Sequence, residues 1–227
     1  IMKLCIKYID NNLELNNNQI QTIEIENKRY FYRIVNDLYT ISKGNIVDDI
    51  TLFDDNNQEV NYLNKLKLFL NFFDFGLTTK KYTNDISKYI INNISDDNKD
   101  LLIKQYNKIV NIYKRILNDI DLPLLISSEI NMENITKLMK ININMQSDLL
   151  SNLFILIDLE NLFQSKNILV FINLKQYLTI DELEELYKYS IYNEIPLLLI
   201  DSQSYGTTLN NEKKLIIDEN LDEFMLQ

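Results

Sequence analysis

The sequence predicts an α/β fold with a discontinuous head, residues 1–61 and 164–227, and an inserted all-helical leg, residues 62–163. Three observations predict it. The stretch "ILVFINLKQYLTIDELEELYKYSIYNEIPLLLID", residues 168–201, reads as strand, turn, capped helix, strand. The N-terminal "MKLCIKY" alternates apolar and polar residues, the pattern of a strand with one buried face. Between the two ends, apolar residues recur at helical spacing for about a hundred positions.

The elements follow in order. Met2, Leu4, Ile6 and Tyr8 form the apolar side of the first strand, and "IQTIEI" is a second strand. Phe31, Ile34, Val35, Leu38 and Ile41 place a helix over residues 28–41. "DDITLFDDNN" reads as a short strand ending in a turn, because its Asp and Asn side chains bond their own backbone. Residues 62–75 are expected to form an aromatic-rich helix stopped by Gly76. A helix over 85–94, a long one capped by Ser95 and ended by Pro123, and a short one near 132–140 follow. Leu149, Leu150, Leu153, Phe154 and Ile157 mark a helix over 147–164. In the C-terminal unit, Thr179 and Glu182 form a capping box. Two strands around one helix imply a right-handed parallel crossover, buried on both faces.

Such a unit is half of a nucleotide-binding fold, yet no phosphate loop accompanies it. Backbone amides approach phosphate closely only where glycine allows it. The three glycines, Gly44, Gly76 and Gly206, belong to no phosphate-binding motif. Nucleotide is therefore not an expected cofactor.

Composition narrows the chemistry. The chain has no histidine, which removes Ser–His–Asp and Cys–His catalysis and histidine metal sites. Cys5 is alone, no apolar run reaches membrane-span length, and the N-terminal residues lack signal-peptide character, so a soluble cytoplasmic protein is expected. The net charge of −10 is unevenly spread: −4 over residues 1–61, zero over 62–163 and −6 over 164–227. The neutral middle groups its basic residues. In "DDNKDLLIKQYNKIVNIYKRILNDID", Lys104, Lys108 and Arg115 are four and seven apart and share one helical stripe. Such a row suits a phosphate backbone, and an ordinary solvated helix face is the competing reading. Lys65, Lys67, Lys80, Lys81, Lys137 and Lys140 are further basic pairs of the segment. The leg carries no aromatic interleaving and no recognition-helix signature, so DNA binding there would be backbone-directed and sequence-tolerant.

Two other constellations carry chemistry. Asp119 and Asp121 end the long helix, where they oppose its dipole and each other; a calcium ion would relieve both, although solvated aspartates read the same way. Asp201 after "LLLI", with Glu212 and Lys214 in an E-x-K triplet, would serve a metal-dependent nuclease or degenerate nucleotide hydrolase; Glu26 and Lys28 repeat the triplet. A polar strand end and a chance triplet are the alternatives.

The stretches "ITLFDDNNQEV", "FLNFFDFGLTTKKYTNDISKYI" and, most specifically, "ILVFINLKQYLTIDELEELYKY" with "IPLLLID" resemble the Csn-two family, the small ring-forming adaptation protein of type II-A CRISPR systems. "IIDENLDEFML" resembles that family's ending. The resemblance implies an α/β head related to P-loop ATPases without a phosphate loop, a helical leg and a homotetrameric ring. It implies sequence-independent binding of linear double-stranded DNA in a basic lumen, structural Ca2+, and no enzymatic activity. It implies a role in spacer acquisition beside the integrase and effector nuclease of the locus. The calcium ligands would come from an acidic cluster after the long helix. Here Asp119 and Asp121 fall within that match, Pro123 and Leu124 stand where carboxylates are expected, and Glu129 and Glu133 follow downstream. A protein scaffold for the acquisition machinery is a further reading.

Overall fold

The computed structural model describes residues 2–73, 77, 80–126, 132–165 and 167–226, with the side chains of residues 64, 80 and 81 outside the description. The chain divides into two compact units, residues 1–75 with 145–227, and residues 76–144.

The first unit holds two sheets. The smaller is antiparallel, in the order β2 (Leu13–Leu15), β1 (Met2–Ile6), β4 (Ile50–Phe53), β5 (Glu59–Val60). The larger has the order β10 (Glu223–Leu226), β9 (Glu212–Ile217), β3 (Ile20–Ile25), β8 (Leu197–Asp201), β7 (Ile168–Ile172), β6 (Leu66–Phe69). Its neighbours run parallel except at the β10 edge. Every residue of β3, β7 and β8 is buried, as expected for strands covered on both faces. One face of the large sheet, with Ile23, Val170, Leu198 and Leu215, shares a core with the small sheet and helix α1 (Lys28–Ser42). Period-2 alternation sends Leu169, Phe171, Leu197 and Leu199 to the other face, where they are equally buried.

Local sequence explains the helices. Asn27 caps α1 by accepting from the Tyr30 amide, and Tyr30, Ile34, Leu38 and Ile41 form its buried stripe. Helix α5 (Leu149–Leu162) is capped by Asp148 and packs on α6 (Ile180–Tyr192). Both halves of the Thr179–Glu182 capping box are formed on α6. In the second unit, α2 (Lys80–Asn93) is followed by the 23-residue α3 (Asp96–Asn118), capped by Ser95, and by α4 (Met132–Leu138), which packs on α2. Among the described residues no helix is long and apolar enough to cross a membrane.

Two expectations are corrected and a third is extended. Residues 62–75 do not form a helix: a 3-10 turn over Tyr62–Asn64 leads into β6. A short apolar run cannot be assigned by periodicity, and here the open edge of β7 decides, pairing Leu66 with Ile168 through Phe69 with Phe171. Residues 62–75 and 145–163 consequently cluster with the first unit; Gly76 lies outside the described residues. Second, the first strand stops at Ile6, and Tyr8 takes a left-handed backbone (φ 70°) that turns its ring to solvent. Third, the "DDNNQ" stretch closes the β4–β5 hairpin, with the Asp54 carboxylate accepting from the Asn56 and Gln58 amides, 2.8 and 2.9 Å; this agrees with the turn reading, and β2, β9 and β10 are added strands.

The ring of Phe171 is buried between Phe69 and Phe72, with centroids at 5.1 and 6.3 Å. Phe171→Ala is expected to cost about 3–5 kcal/mol in urea unfolding, through lost transfer energy and a cavity. Phe73→Ala, at 87% exposure, is expected to cost under about 0.5 kcal/mol.

Candidate functional site

Two places concentrate charge, one in each unit. In the first unit, strand periodicity builds a closed ionic cluster. Residues Ile20, Thr22 and Glu24 of β3 alternate onto one face, and their partners in register are Glu212 and Lys214 on β9 and Asp201 on β8. The E-x-K spacing of Glu212 and Lys214 therefore puts both on the face of Glu24. Lys175, in the 3-10 turn after β7, completes the group. All five are buried, Glu24, Asp201 and Lys214 at 0% exposure.

The contacts are mutual. Lys175 Nζ donates to Glu24 Oε1 at 2.9 Å and to Glu212 Oε1. Lys214 Nζ lies 2.9 Å from Glu24 Oε1 and donates to the Thr207 carbonyl. Thr22 Oγ1 donates to Glu212 Oε1 at 2.7 Å, and the Tyr187 hydroxyl of α6 reaches it at 3.4 Å. The loop after β8 closes the group: Ser204 Oγ and the Tyr205 amide donate to Glu24 Oε2, both at 3.1 Å, and the Leu209 amide donates to Glu212 Oε2 at 2.9 Å.

Two carboxylates and two ammonium groups balance, which leaves Asp201 as the uncompensated acid. Neither of its oxygens has a hydrogen-bond partner of ordinary geometry. Burial, against the opposing pull of Lys175, pushes its pKa up to about 7. Burial also pushes on Glu24, but Lys214 and Lys175 win and hold its carboxyl below the usual range. Burial lowers Lys175 less than Glu212 and Glu24 raise it, so its ammonium is kept. Burial and the neighbouring Glu212 drive the Tyr187 phenol well above its ordinary value.

This arrangement bears on nucleotide chemistry. Only Glu26 and Asn27 separate β3 from α1, too few for a phosphate loop of eight residues. Of the nuclease candidates, Asp201, Glu212 and Lys214 come together but are sealed from solvent. Glu26 and Lys28 are not part of the cluster. The partners that sequence reasoning missed are Glu24 and Lys175; each is a charged residue set in or just after an apolar strand, the only local signal they give.

In the second unit, Lys104, Lys108 and Arg115 are all exposed on α3, whose inward side is marked by buried Val110. No ion pair engages the three among the described residues. Lys137 pairs with Glu133 at 3.7 Å on α4, and Lys140 is exposed just beyond it. Lys80 and Lys81 begin α2, with side chains outside the description. Lys65 and Lys67 belong to the first unit, where Lys67 pairs with the buried carboxylate of Glu160. Asp119 is the C-cap of α3, and Asp121 follows it, both exposed; Glu129 lies outside the described residues. Among the described residues no three His, Cys, Asp or Glu side chains group for a metal ion. Two solvated carboxylates fall short of the six to eight oxygens calcium takes, so the described residues do not by themselves fit the ion.

Comparisons with known proteins place the fold. The family described as CRISPR-associated protein (Cas_Csn2) matches residues 45–221, more than three quarters of the chain. The protein belongs to this family and is CRISPR-associated. Among solved structures it is similar to Stu0660 of Streptococcus thermophilus, at 13% identity and a TM-score of 0.65, over 99% of this chain and 76% of that one. That likeness is one of fold. Comparison with curated proteins gave no match.

The ionic cluster has a pH signature. The folded pKa of Asp201, about 7, lies above its ordinary value of 3.8. The unfolded chain therefore releases this proton first, and stability is lost as pH rises from about 4 through 7. The full loss above pH 7 is on the order of 4 kcal/mol. Asp201→Asn removes the titration. Urea midpoints of variant and wild type are expected to diverge in the variant's favour between pH 4.5 and 8; a difference constant with pH would show that Asp201 stays ionised.

Proposed function

We propose that the protein binds double-stranded DNA through its phosphate backbone, without sequence preference and without cleaving it, as a homotetrameric ring in CRISPR spacer acquisition. The observation that carries this reading is the stripe of unpaired cations on α3. Lys104, Lys108 and Arg115 span eleven positions, roughly 16 Å of helix, all exposed and without an ion pair among the described residues. The stripe is a row of cations without a recognition-helix signature, so affinity would come from phosphate contacts and counterion release. Membership in a CRISPR-associated family supplies the context. The integrase and effector nuclease of the locus are the partners this role requires, and the cytoplasm is where they act.

A ring accounts for an acidic chain on an acidic ligand. Stripes from several copies converge on one passage, while the acidic remainder faces away and repels non-specific contacts. The buried cluster supports a role without turnover. A carboxylate that holds a lysine and excludes solvent can neither take a catalytic metal nor meet a phosphodiester. Calcium is the ion proposed to support the ring, and since the described acidic residues do not complete a site, no part of DNA binding is routed through it.

The test is a gel shift of one plasmid, linear and covalently closed, with magnesium, calcium or chelator. Retardation of the linear form alone, uncleaved, is expected. Lys104→Glu with Lys108→Glu should weaken binding at least tenfold at about 0.1 M salt and lower the salt slope by about 2, with the melting temperature unchanged. Equal binding of both plasmids would mean an open surface. No binding of either would leave a scaffold role, and cleavage lost in Asp201→Ala would reinstate the nuclease.

A further inference from the structure

A second cationic surface lies in the first unit, on the solvent face of α1. Positions 29, 32, 36, 39 and 43 recur at spacings of three and four, so Arg29, Tyr32, Asn36, Tyr39 and the C-cap Lys43 form one stripe. It lies opposite the buried Tyr30, Ile34, Leu38 and Ile41. Cations stand at its two ends, Arg29 and Lys43, with two phenol rings, Tyr32 and Tyr39, between them. The rings are bare, Tyr32 at 71% and Tyr39 at 44% exposure, and Lys43 sits 5.0 Å from the Tyr39 centroid.

The turn after β1 extends the pattern. Tyr8, 63% exposed, holds a left-handed backbone that a bulky side chain rarely adopts. Its ring is gripped by Arg33 of α1 and by Lys7, at 5.0 and 5.4 Å. Asp49 fixes both cations, accepting from Arg33 and lying 3.1 Å from Lys7. Such strain persists where surroundings impose it, and it presents here a third exposed ring beside the stripe, packed on two cations.

The charge is concentrated. Residues 1–61 carry six cations and ten acids; Arg29 and Lys43 stand on this face with no ion pair among the described residues, Lys7 and Arg33 beside it are paired with Asp49, and α1 itself has one carboxylate, Asp37. Two of the three arginines of a lysine-rich chain are among them. Exposed rings two helical turns apart, flanked by a cation at each end, match a strand whose bases are unpaired and whose phosphates lie on either side. Stacked bases in a duplex would leave the rings unused, and an acidic peptide would leave them without a planar partner.

We propose that the α1 face binds single-stranded nucleic acid, including the unpaired extension of a DNA end, by stacking bases on Tyr32 and Tyr39 and seating phosphates on Arg29 and Lys43. This goes beyond backbone binding of duplex by α3, and the two are separable because they use different residues.

The experiment is fluorescence anisotropy of the full chain with three labelled probes: a twenty-residue oligothymidylate, a blunt duplex of equal length, and that duplex with a ten-thymidine overhang. The wild type should bind the oligothymidylate, and the overhang should tighten duplex binding about tenfold. Tyr32→Ala with Tyr39→Ala should abolish both effects while leaving blunt-duplex affinity unchanged. Tyr32→Phe with Tyr39→Phe should restore them, since the ring and not the hydroxyl stacks. Lys104→Glu with Lys108→Glu should weaken the blunt duplex and spare the oligothymidylate, so failure of the α3 reading is seen separately. An overhang advantage that is absent, or that survives loss of both rings, overturns the proposal. So does competition by poly-glutamate equal to that by oligothymidylate, which would assign the face to an acidic protein partner.

Discussion

The structure of the first unit depends on closing a set of charges inside it. Lys175 and Lys214 are buried with Glu24 and Glu212, and neither pair could be buried alone. An isolated charge in a low-dielectric interior costs several kcal/mol, and attraction offsets that only when geometry satisfies every donor and acceptor. The demand reaches outward. It fixes the turn after β7, which carries Lys175, and draws the loop after β8 over the sheet so that Ser204, Tyr205 and Leu209 satisfy the carboxylates. It places α6 so that Tyr187 meets Glu212. Asn173 joins the same corner, with its carboxamide oxygen accepting from the Ser202 amide at 2.8 Å.

The same constraint separates fold from chemistry. The edge of a parallel sheet where strands end is where α/β proteins most often hold ligands. Here that edge is occupied by the protein's own charges, and the strand-to-helix junction that could have cradled phosphate is two residues long. Exposed cations gather on α3 and at the ends of the α1 stripe, with others on α2, α4 and α6, in a chain whose net charge is −10. A net acidic surround repels a polyanion from the rest of the surface.

Much of this was legible in the sequence, unevenly. Helices with caps and stripes were read well: Ser95 and Thr179 each begin one as expected, since capping is a local hydrogen bond that local sequence specifies, and the structure adds Asn27 and Asp148 as caps. Strands buried on both faces were legible as apolar runs. The run over 62–75 was not, because helix and strand are equally satisfied by it until a neighbouring edge is known. The lysine stripe on α3 was legible by arithmetic of spacing. The stripe on α1 was masked by the acidity of its surroundings, and Tyr8 by an alternation that continues one residue past the strand.

By itself, the sequence determined the α/β class, the lack of histidine and phosphate-loop chemistry, the boundaries of the capped helices and the cationic face of α3. These rest on composition or on contacts within a few residues. Tertiary structure alone decided that β6 is a strand, and that Glu24, Lys175, Asp201, Glu212 and Lys214 meet. The first depends on which edge lies open, and the second on residues up to 190 positions apart brought into register by parallel pairing. Neither leaves a trace in spacing, because the free energy that favours each exists only once the partner strand is in place.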